Sequence, residues 1–266
     1  MEVIICRNAD EAASLSADLI EDVLRQKPNM TLGLATGRTM EDLYDKLAER
    51  HQKAGLDFSL AVTFNLDEYI GLPAEDPNSY RAYMNRHLFD RINIDKCNTF
   101  LPNGVAEDLD AECAAYEARI LDYGGIDLQL LGIGRTGHIG FNEPLSALQS
   151  RTRCKTLTPG TIAQNSPLFD NPEDMPRRAI TMGVGTILES QRSILLATGT
   201  EKADIIAKAV EGPMTAMISA SAMQWHQKCT VILDEAASAK LEHTDYYHWI
   251  FQNEPEWEPY RAKYSA

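Results

Sequence analysis

Residues 132–144 read GIGRTGHIGFNEP and place one imidazole, His138, and one carboxyl, Glu143, among four glycines. An imidazole titrating near its ordinary pKa of about 6.5 can give and take a proton at neutral pH, and a carboxylate that orients it completes a relay. Thr136 stands two positions before that histidine and offers a hydroxyl to the same ring. A second acidic pair, Asp67 and Glu68 in TFNLDEYIGLP, comes directly after an apolar run. Adjacent residues of an extended chain point to opposite sides, so at most one of the two faces a site. A third stretch, LGLATGRTMEDLY, sets Thr36, Gly37, Arg38 and Thr39 between an apolar run and a helical pattern. Free N–H groups at a helix start attract anions, although the spacing of a Walker loop is absent. Read singly, each stretch has a plain alternative. The histidine could cap a carbonyl in a glycine-rich turn, the two acids could be solvated, and Thr39 could be the cap of an ordinary strand-to-helix turn.

The elements needed to hold these loops are visible as alternating apolar and amphipathic runs, the pattern of a parallel sheet wrapped by helices. VIIC is a strand, residues 9–26 have helical spacing, TLGLA (31–35) is a strand, and MEDLYDKLAERHQ is a helix. LAVTFNL (60–66), IDLQLLGI, RSILLATG (192–199) and CTVILD (229–234) are further strands, with helices at 79–89, at 108–122 and in EKADIIAKAVEG. Each chemical stretch therefore begins where a strand ends, which is where open α/β sheets bind ligands. The expected fold is an open, mostly parallel, Rossmann-like sheet with helices on both faces. Residues 156–178 contain Pro159, Pro167, Pro172 and Pro176 with little periodicity. A long irregular segment in a compact domain is commonly a lid. No linker breaks the pattern, so residues 1–266 are read as one domain, and the aromatic stretch YYHWIFQNEPEWEPY as packing against the domain or a neighbouring subunit.

The bulk composition narrows the partners. The net charge of −14, from 25 basic and 39 acidic residues, repels nucleic acid and anionic membranes. A phosphate ester would need basic side chains and N–H donors gathered locally against that background. No run reaches the roughly 18 apolar residues of a membrane span, and the N-terminus lacks a secretory pattern. Five scattered cysteines, Cys6, Cys97, Cys113, Cys154 and Cys229, contain no CxxC pair. They suggest reduced thiols in the cytoplasm and neither a zinc site nor a disulfide framework.

Taken together, ATGRTMEDLY, TFNLDEYIGL, DPNSY, LPNG, LLGIGRTGHIGFNEP, SRTR and ITMGVGTIL resemble, in order and spacing, the glucosamine-6-phosphate deaminase (isomerase) family over nearly the whole chain. The resemblance implies conversion of glucosamine 6-phosphate and water to fructose 6-phosphate and ammonium, with no metal or organic cofactor. It implies ring opening by His138 held by Glu143, and proton transfer from C2 to C1 by Asp67. Phosphate binding falls to Thr36, Gly37, Arg38, Thr39 and Lys202. An Asp near its unperturbed pKa of about 3.9 is a weak carbon base, so burial is expected to strengthen it.

Four positions depart from the family pattern. Its phosphate loop usually reads Thr-Gly-Gly-Thr-Pro, whereas Arg38 and Met40 stand here in place of a glycine and the proline. An arginine common in the lid is replaced by Pro167, which suggests that Arg38 supplies the missing guanidinium. Thr136 replaces an Asp or Asn of the relay and cannot carry charge. These changes leave open the galactosamine epimer or another amino-sugar phosphate. Activation by N-acetylglucosamine 6-phosphate at a subunit interface occurs in the family. Ser146, Arg153 and Lys155 match its residues, with Ala147 at a neighbouring serine position, and surface charge is an equal reading. Relatives range from monomers to hexamers, so a homo-oligomer is compatible with the resemblance. Two rival activities remain: a 6-phosphogluconolactonase-like hydrolase, which has little use for Asp67, and a sensor that binds sugar phosphates without turnover.

Overall fold

The computed structural model describes residues 1–264. Among these residues ten strands occur in chain order. They are β1 (Glu2–Cys6), β2 (Thr31–Leu34), β3 (Val62–Asn65), β4 (Asp67–Tyr69) and β5 (Thr99–Phe100), followed by β6 (Leu128–Leu131), β7 (Arg153–Thr156), β8 (Arg178–Thr181), β9 (Arg192–Ala197) and β10 (Cys229–Asp234). Seven form the central sheet in the order β1-β10-β9-β6-β2-β3-β5, and every pair in it is parallel. Strands covered on both faces need apolar side chains on both, and CTVILD of β10 is buried at every position.

The helices around this sheet are α1 (Ala9–Gln26), α2 (Arg38–Ala54), α3 (Tyr80–His87), α4 (Leu109–Asp122), α5 (Pro159–Asn165), α6 (Val184–Leu188), α7 (Ala203–Val210), α8 (Glu235–Ser238), α9 (Thr244–Asn253) and α10 (Glu258–Tyr264). Helix α1 starts where the Asn8 side chain accepts the N–H of Glu11, and it buries Leu15, Leu19, Ile20 and Leu24 at helical spacing. The C-terminal aromatics divide between core and surface. Phe251, Trp257 and Tyr264 are buried while Tyr246 and Trp249 are exposed, and Tyr264 Oη donates to Asp18 of α1 at 2.8 Å.

Strand order shows where a ligand belongs. From β2 the chain builds outward through β3 to β5 at one edge, then returns with β6 on the other side of β2 and builds through β9 and β10 towards β1. The crevice outside the carboxyl ends of β2 and β6 is therefore the topological switch point, the usual ligand position in such sheets.

A second sheet, antiparallel and in the order β4-β8-β7, was not visible in the residue pattern. Its strands are three or four residues long and end in polar side chains, so alternation cannot show. The chain passes directly between the sheets at Leu66. The Leu66 N–H donates to Leu34 of β2 at 3.0 Å, and the Leu66 carbonyl accepts from Met182, just past β8, at 2.7 Å. Strand β5 is only two residues long, too short to show a period in the sequence. The proline-rich segment is less irregular than expected, because it holds α5 and two short 3-10 turns at Ser166–Leu168 and Pro172–Asp174. It packs over a small apolar cluster of Tyr69, Phe141, Leu157, Phe169 and Met175 that is separate from the main core.

Candidate active site

A cavity of about 610 Å³ opens at the switch point, and its wall includes Thr36, Gly37, Arg38 and Thr39 after β2, Asp67 after β3, and Gly134, Arg135 and His138 after β6. The three stretches that the sequence singled out thus meet in one place.

The loop after β2 is shaped for an anion. Helix α2 begins at Arg38 after Gly37, whose φ of 115° suits only glycine, and no side chain caps it. Thr39 is consequently inside the first turn and is not the cap that the residue pattern suggested. Thr36, Gly37, Thr39 and the exposed Arg38 line the cavity at this helix start. The loop carbonyls are held from behind, Gly37 by Tyr83 Oη at 2.9 Å and Ala35 by the buried Tyr44 hydroxyl. Across the cavity Lys202 is half-buried and donates to the Ile133 carbonyl at 2.8 Å, and burial pulls its pKa down. Arg86 and Arg135 also line the wall, bringing four cations (with Arg38 and Lys202) against the carboxylates of Glu41, Asp67 and Glu201. Nothing in the local sequence marked Arg86, which sits in the last turn of α3 on a charged helix face.

Asp67 and Glu68 separate as extended neighbours should. Glu68 turns away and accepts the N–H groups of Tyr69, Tyr80 and Arg81 at 2.8–2.9 Å, fixing the start of α3, while burial pushes its carboxyl up to about 7. Asp67 turns into the cavity with 6% of its surface exposed, and burial, reinforced by the nearby Glu68 charge, pushes its carboxyl up to about 8. Its place comes from the second sheet, where it pairs with Thr181 of β8. Gly140 makes room beside it: a Cβ there would lie 2.9 Å from Thr181 Oγ and 3.5 Å from Asp67 Oδ2.

The glycines around His138 have a similar cause. The imidazole lies across Gly134, where a Cβ would fall 2.1 Å from Nε2. On its other side, Nδ1 stands 2.8 Å from Thr136 Oγ and 3.2 Å from Glu143 Oε2, and the threonine is the better-aligned partner. Glu143 is 2% exposed. Burial alone would raise its pKa, but the adjacent His138 ring, the Thr161 hydroxyl and the Thr158 N–H hold its carboxyl at about 2. The carboxylate beside the ring is thus charged at neutral pH.

Of the remaining sequence candidates, Ser146 and Arg153 meet each other outside the cavity. Arg153 donates to Ser146 Oγ at 3.0 Å and to Asn142 Oδ1 at 2.9 Å, the residue next to Glu143. Lys155 lies two residues further along β7 and is half-buried. Arg151 instead forms ion pairs with Glu117 and Glu189, both within 2.7 Å.

A parallel sheet carrying a cation-rimmed cavity, a buried carboxyl and an imidazole–carboxylate pair defines an α/β acid–base enzyme for a small anionic substrate. The chain belongs to the family of glucosamine-6-phosphate isomerases and 6-phosphogluconolactonases, whose model matches residues 7–232. It is 50% identical over 250 residues to a glucosamine-6-phosphate deaminase of Shewanella loihica, covering 94% of this chain and 93% of that protein. A glucosamine-6-phosphate deaminase of an Arthrobacter species is 48% identical over 258 residues, covering 97% and 99%. Among solved structures, a monomeric glucosamine-6-phosphate deaminase superposes with a TM-score of 0.89 at 43% identity, covering 90% of this chain and all of the other. The 6-phosphogluconolactonase of Trypanosoma cruzi shares the fold, with a TM-score of 0.72 at 20% identity over 91% and 97% of the two chains.

Proposed function

We propose that this enzyme is a glucosamine-6-phosphate deaminase, releasing fructose 6-phosphate and ammonium from glucosamine 6-phosphate and water. The observation that carries the reading is that Asp67 and His138 face one cavity from the ends of two different strands, with cations at its rim. An isomerisation needs two proton-transfer stations, and a lactone hydrolase has no use for a buried carbon base at Asp67.

The geometry supports the following roles. The phosphate is bound by the Thr36–Thr39 backbone, Arg38 and Lys202. His138, oriented by Glu143 and Thr136, moves a proton from the O1 hydroxyl to the ring oxygen and so opens the pyranose to the aldehyde. Asp67 as carboxylate removes the proton at C2 while O1 takes a proton from the substrate's C2 ammonium, giving an enolamine. The resulting carboxylic acid then protonates C1 to leave the C2 iminium. The C2 iminium then adds water and loses ammonium. A carboxyl held near 8 is a far stronger base than an exposed aspartate. Segment 156–178 acts as a lid that excludes water from these steps.

All of these groups come from one chain, taken as one domain over residues 1–266, and the reaction draws on no metal or organic cofactor. No homo-oligomer is required to complete the site, and the solved relative is described as monomeric. Among the described residues no helix is long and apolar enough to cross a membrane. We place the enzyme in the cytoplasm, where its five free thiols stay reduced. Ser146 and Arg153, which hydrogen-bond to each other, together with Lys155 form the candidate effector site, with surface charge the equal alternative.

The test is ammonium release from glucosamine 6-phosphate and galactosamine 6-phosphate, each with and without N-acetylglucosamine 6-phosphate. Release from the glucosamine ester alone is expected. Release from the galactosamine ester alone would reassign the epimer. Binding of both esters with no ammonium from either would make the protein a sensor and overturn the proposal.

A further inference from the structure

The Glu143 carboxylate is shared between two structures that the reaction needs at the same moment. Its Oε2 faces His138 Nδ1 at 3.2 Å. Its Oε1 is taken up by the lid: the Thr158 N–H and the Thr158 hydroxyl each donate at 3.1 Å, and the buried Thr161 hydroxyl donates as well. Thr158 and Thr161 belong to the start of α5, where Thr158 is the cap and accepts the Thr161 N–H at 3.3 Å. The far end of the same helix is tied down separately, by Asn165 Nδ2 donating to Tyr69 Oη at 3.1 Å, two residues beyond Asp67. One short helix therefore touches the supports of both proton-transfer stations.

Resting on the deaminase reading, we infer that Thr158 and Thr161 are positioning residues that make lid seating and alignment of the His138 imidazole a single event. Three donors on Oε1 fix the rotation of the carboxyl plane, so that Oε2 is the oxygen presented to the ring. Lifting α5 removes all three donors, frees that rotation and leaves Thr136 as the ring's aligned partner. The coupling is reciprocal by linkage: whatever strengthens the hold of Glu143 on the imidazole also strengthens its hold on the lid. Ring opening is thereby restricted to the state in which water is excluded, because an unseated lid leaves the relay unaligned.

Thr161 gives the clean test, since Thr158 also caps the helix. Thr161→Val keeps the branched shape and removes only the hydroxyl, and Thr161→Ser restores it. The expected result has two parts. Hydrogen–deuterium exchange of peptides spanning 158–169 in the free protein rises in Thr161→Val and returns to wild type in Thr161→Ser. In turnover, kcat of Thr161→Val falls by about ten- to a hundredfold, the range for a lost hydrogen bond to a charged group, and serine recovers it. Glu143→Ala, which removes the acceptor from below, should loosen the same peptides and serves if Thr161→Val does not fold. Wild-type exchange in the lid of either variant would overturn the inference, as would a kcat of Thr161→Val equal to wild type. The exchange experiment needs no substrate, so it reads the latch even where wild-type protein releases no ammonium, the outcome that would sink the deaminase reading instead.

Discussion

Thr136 Oγ stands 2.8 Å from Nδ1 of His138, closer than the 3.2 Å that separates the same nitrogen from Glu143. The ring therefore has an aligned neutral hydroxyl and a charged carboxylate alongside it, and the two contributions can be separated. Replacing Thr136 by valine removes a neutral hydrogen bond, a net effect of about 0.5–1.5 kcal/mol, or roughly two- to tenfold in kcat. Steady-state kinetics should show that loss with KM unchanged and with Thr136→Ser close to wild type. A fall as large as that of Glu143→Ala would mean that the hydroxyl, and not the carboxylate, is the main support.

If Asp67 is the carbon base, it sets the pH dependence. The base form is the carboxylate, and burial raises its pKa from 3.8 to about 8, so kcat/KM should climb with pH and level off above about 8. Asp67→Asn should lower kcat by roughly 10²–10⁴-fold, the usual contribution of a positioned acid–base group. Stability should move the other way. With a raised folded-state pKa the native protein holds the extra proton between about 4 and about 8, so this group costs stability as pH rises through that window. The advantage of Asp67→Asn in thermal unfolding is expected to grow from pH 5 to pH 8 and then stay constant. A flat difference would show that Asp67 is not buried as a carboxylate.

Arg38 is proposed to supply the guanidinium that the lid lacks at Pro167. Arg38→Ala should raise KM by about ten- to a hundredfold, as expected for one charge-assisted contact, while kcat changes little. Inorganic phosphate as a competitive inhibitor should weaken in parallel. If both constants stay at wild type, the phosphate is bound by the backbone and Lys202 alone.

Gly134 makes a prediction about space. Its backbone is ordinary, but an added methyl would lie 2.1 Å from His138 Nε2, so the imidazole has to move. Gly134→Ala is expected to keep its melting temperature within a few degrees and to lose kcat by about a hundredfold, the effect of a misplacement near 1 Å. Equal losses of stability and activity would instead mean that the loop backbone had been disturbed.

Much of this protein is legible in its sequence. The parallel sheet was readable because strands buried on both faces must be apolar throughout, and VIIC, IDLQLLGI and CTVILD announce themselves for that reason. The three loops were readable because active sites gather where such strands end. Arg86 and Arg135 were not, since a charged residue on a helix face or in a loop reads the same whether it meets solvent or a cavity wall. The second sheet was also hidden. Strands of three residues such as DEY carry no period, and only pairing with β8 makes Asp67 part of a strand at all.

The sequence by itself determined which chemical groups are present and on which loops, because residue type and strand periodicity are local properties. Tertiary structure alone decided what those groups can do. Asp67 is a strong base only because two sheets meet at Leu66 and bury it. Glu143 stays charged, and serves both ring and lid, only because His138, Thr158 and Thr161 converge on it from separate segments. Burial and convergence depend on contacts between residues distant in the chain, and no window of sequence contains them.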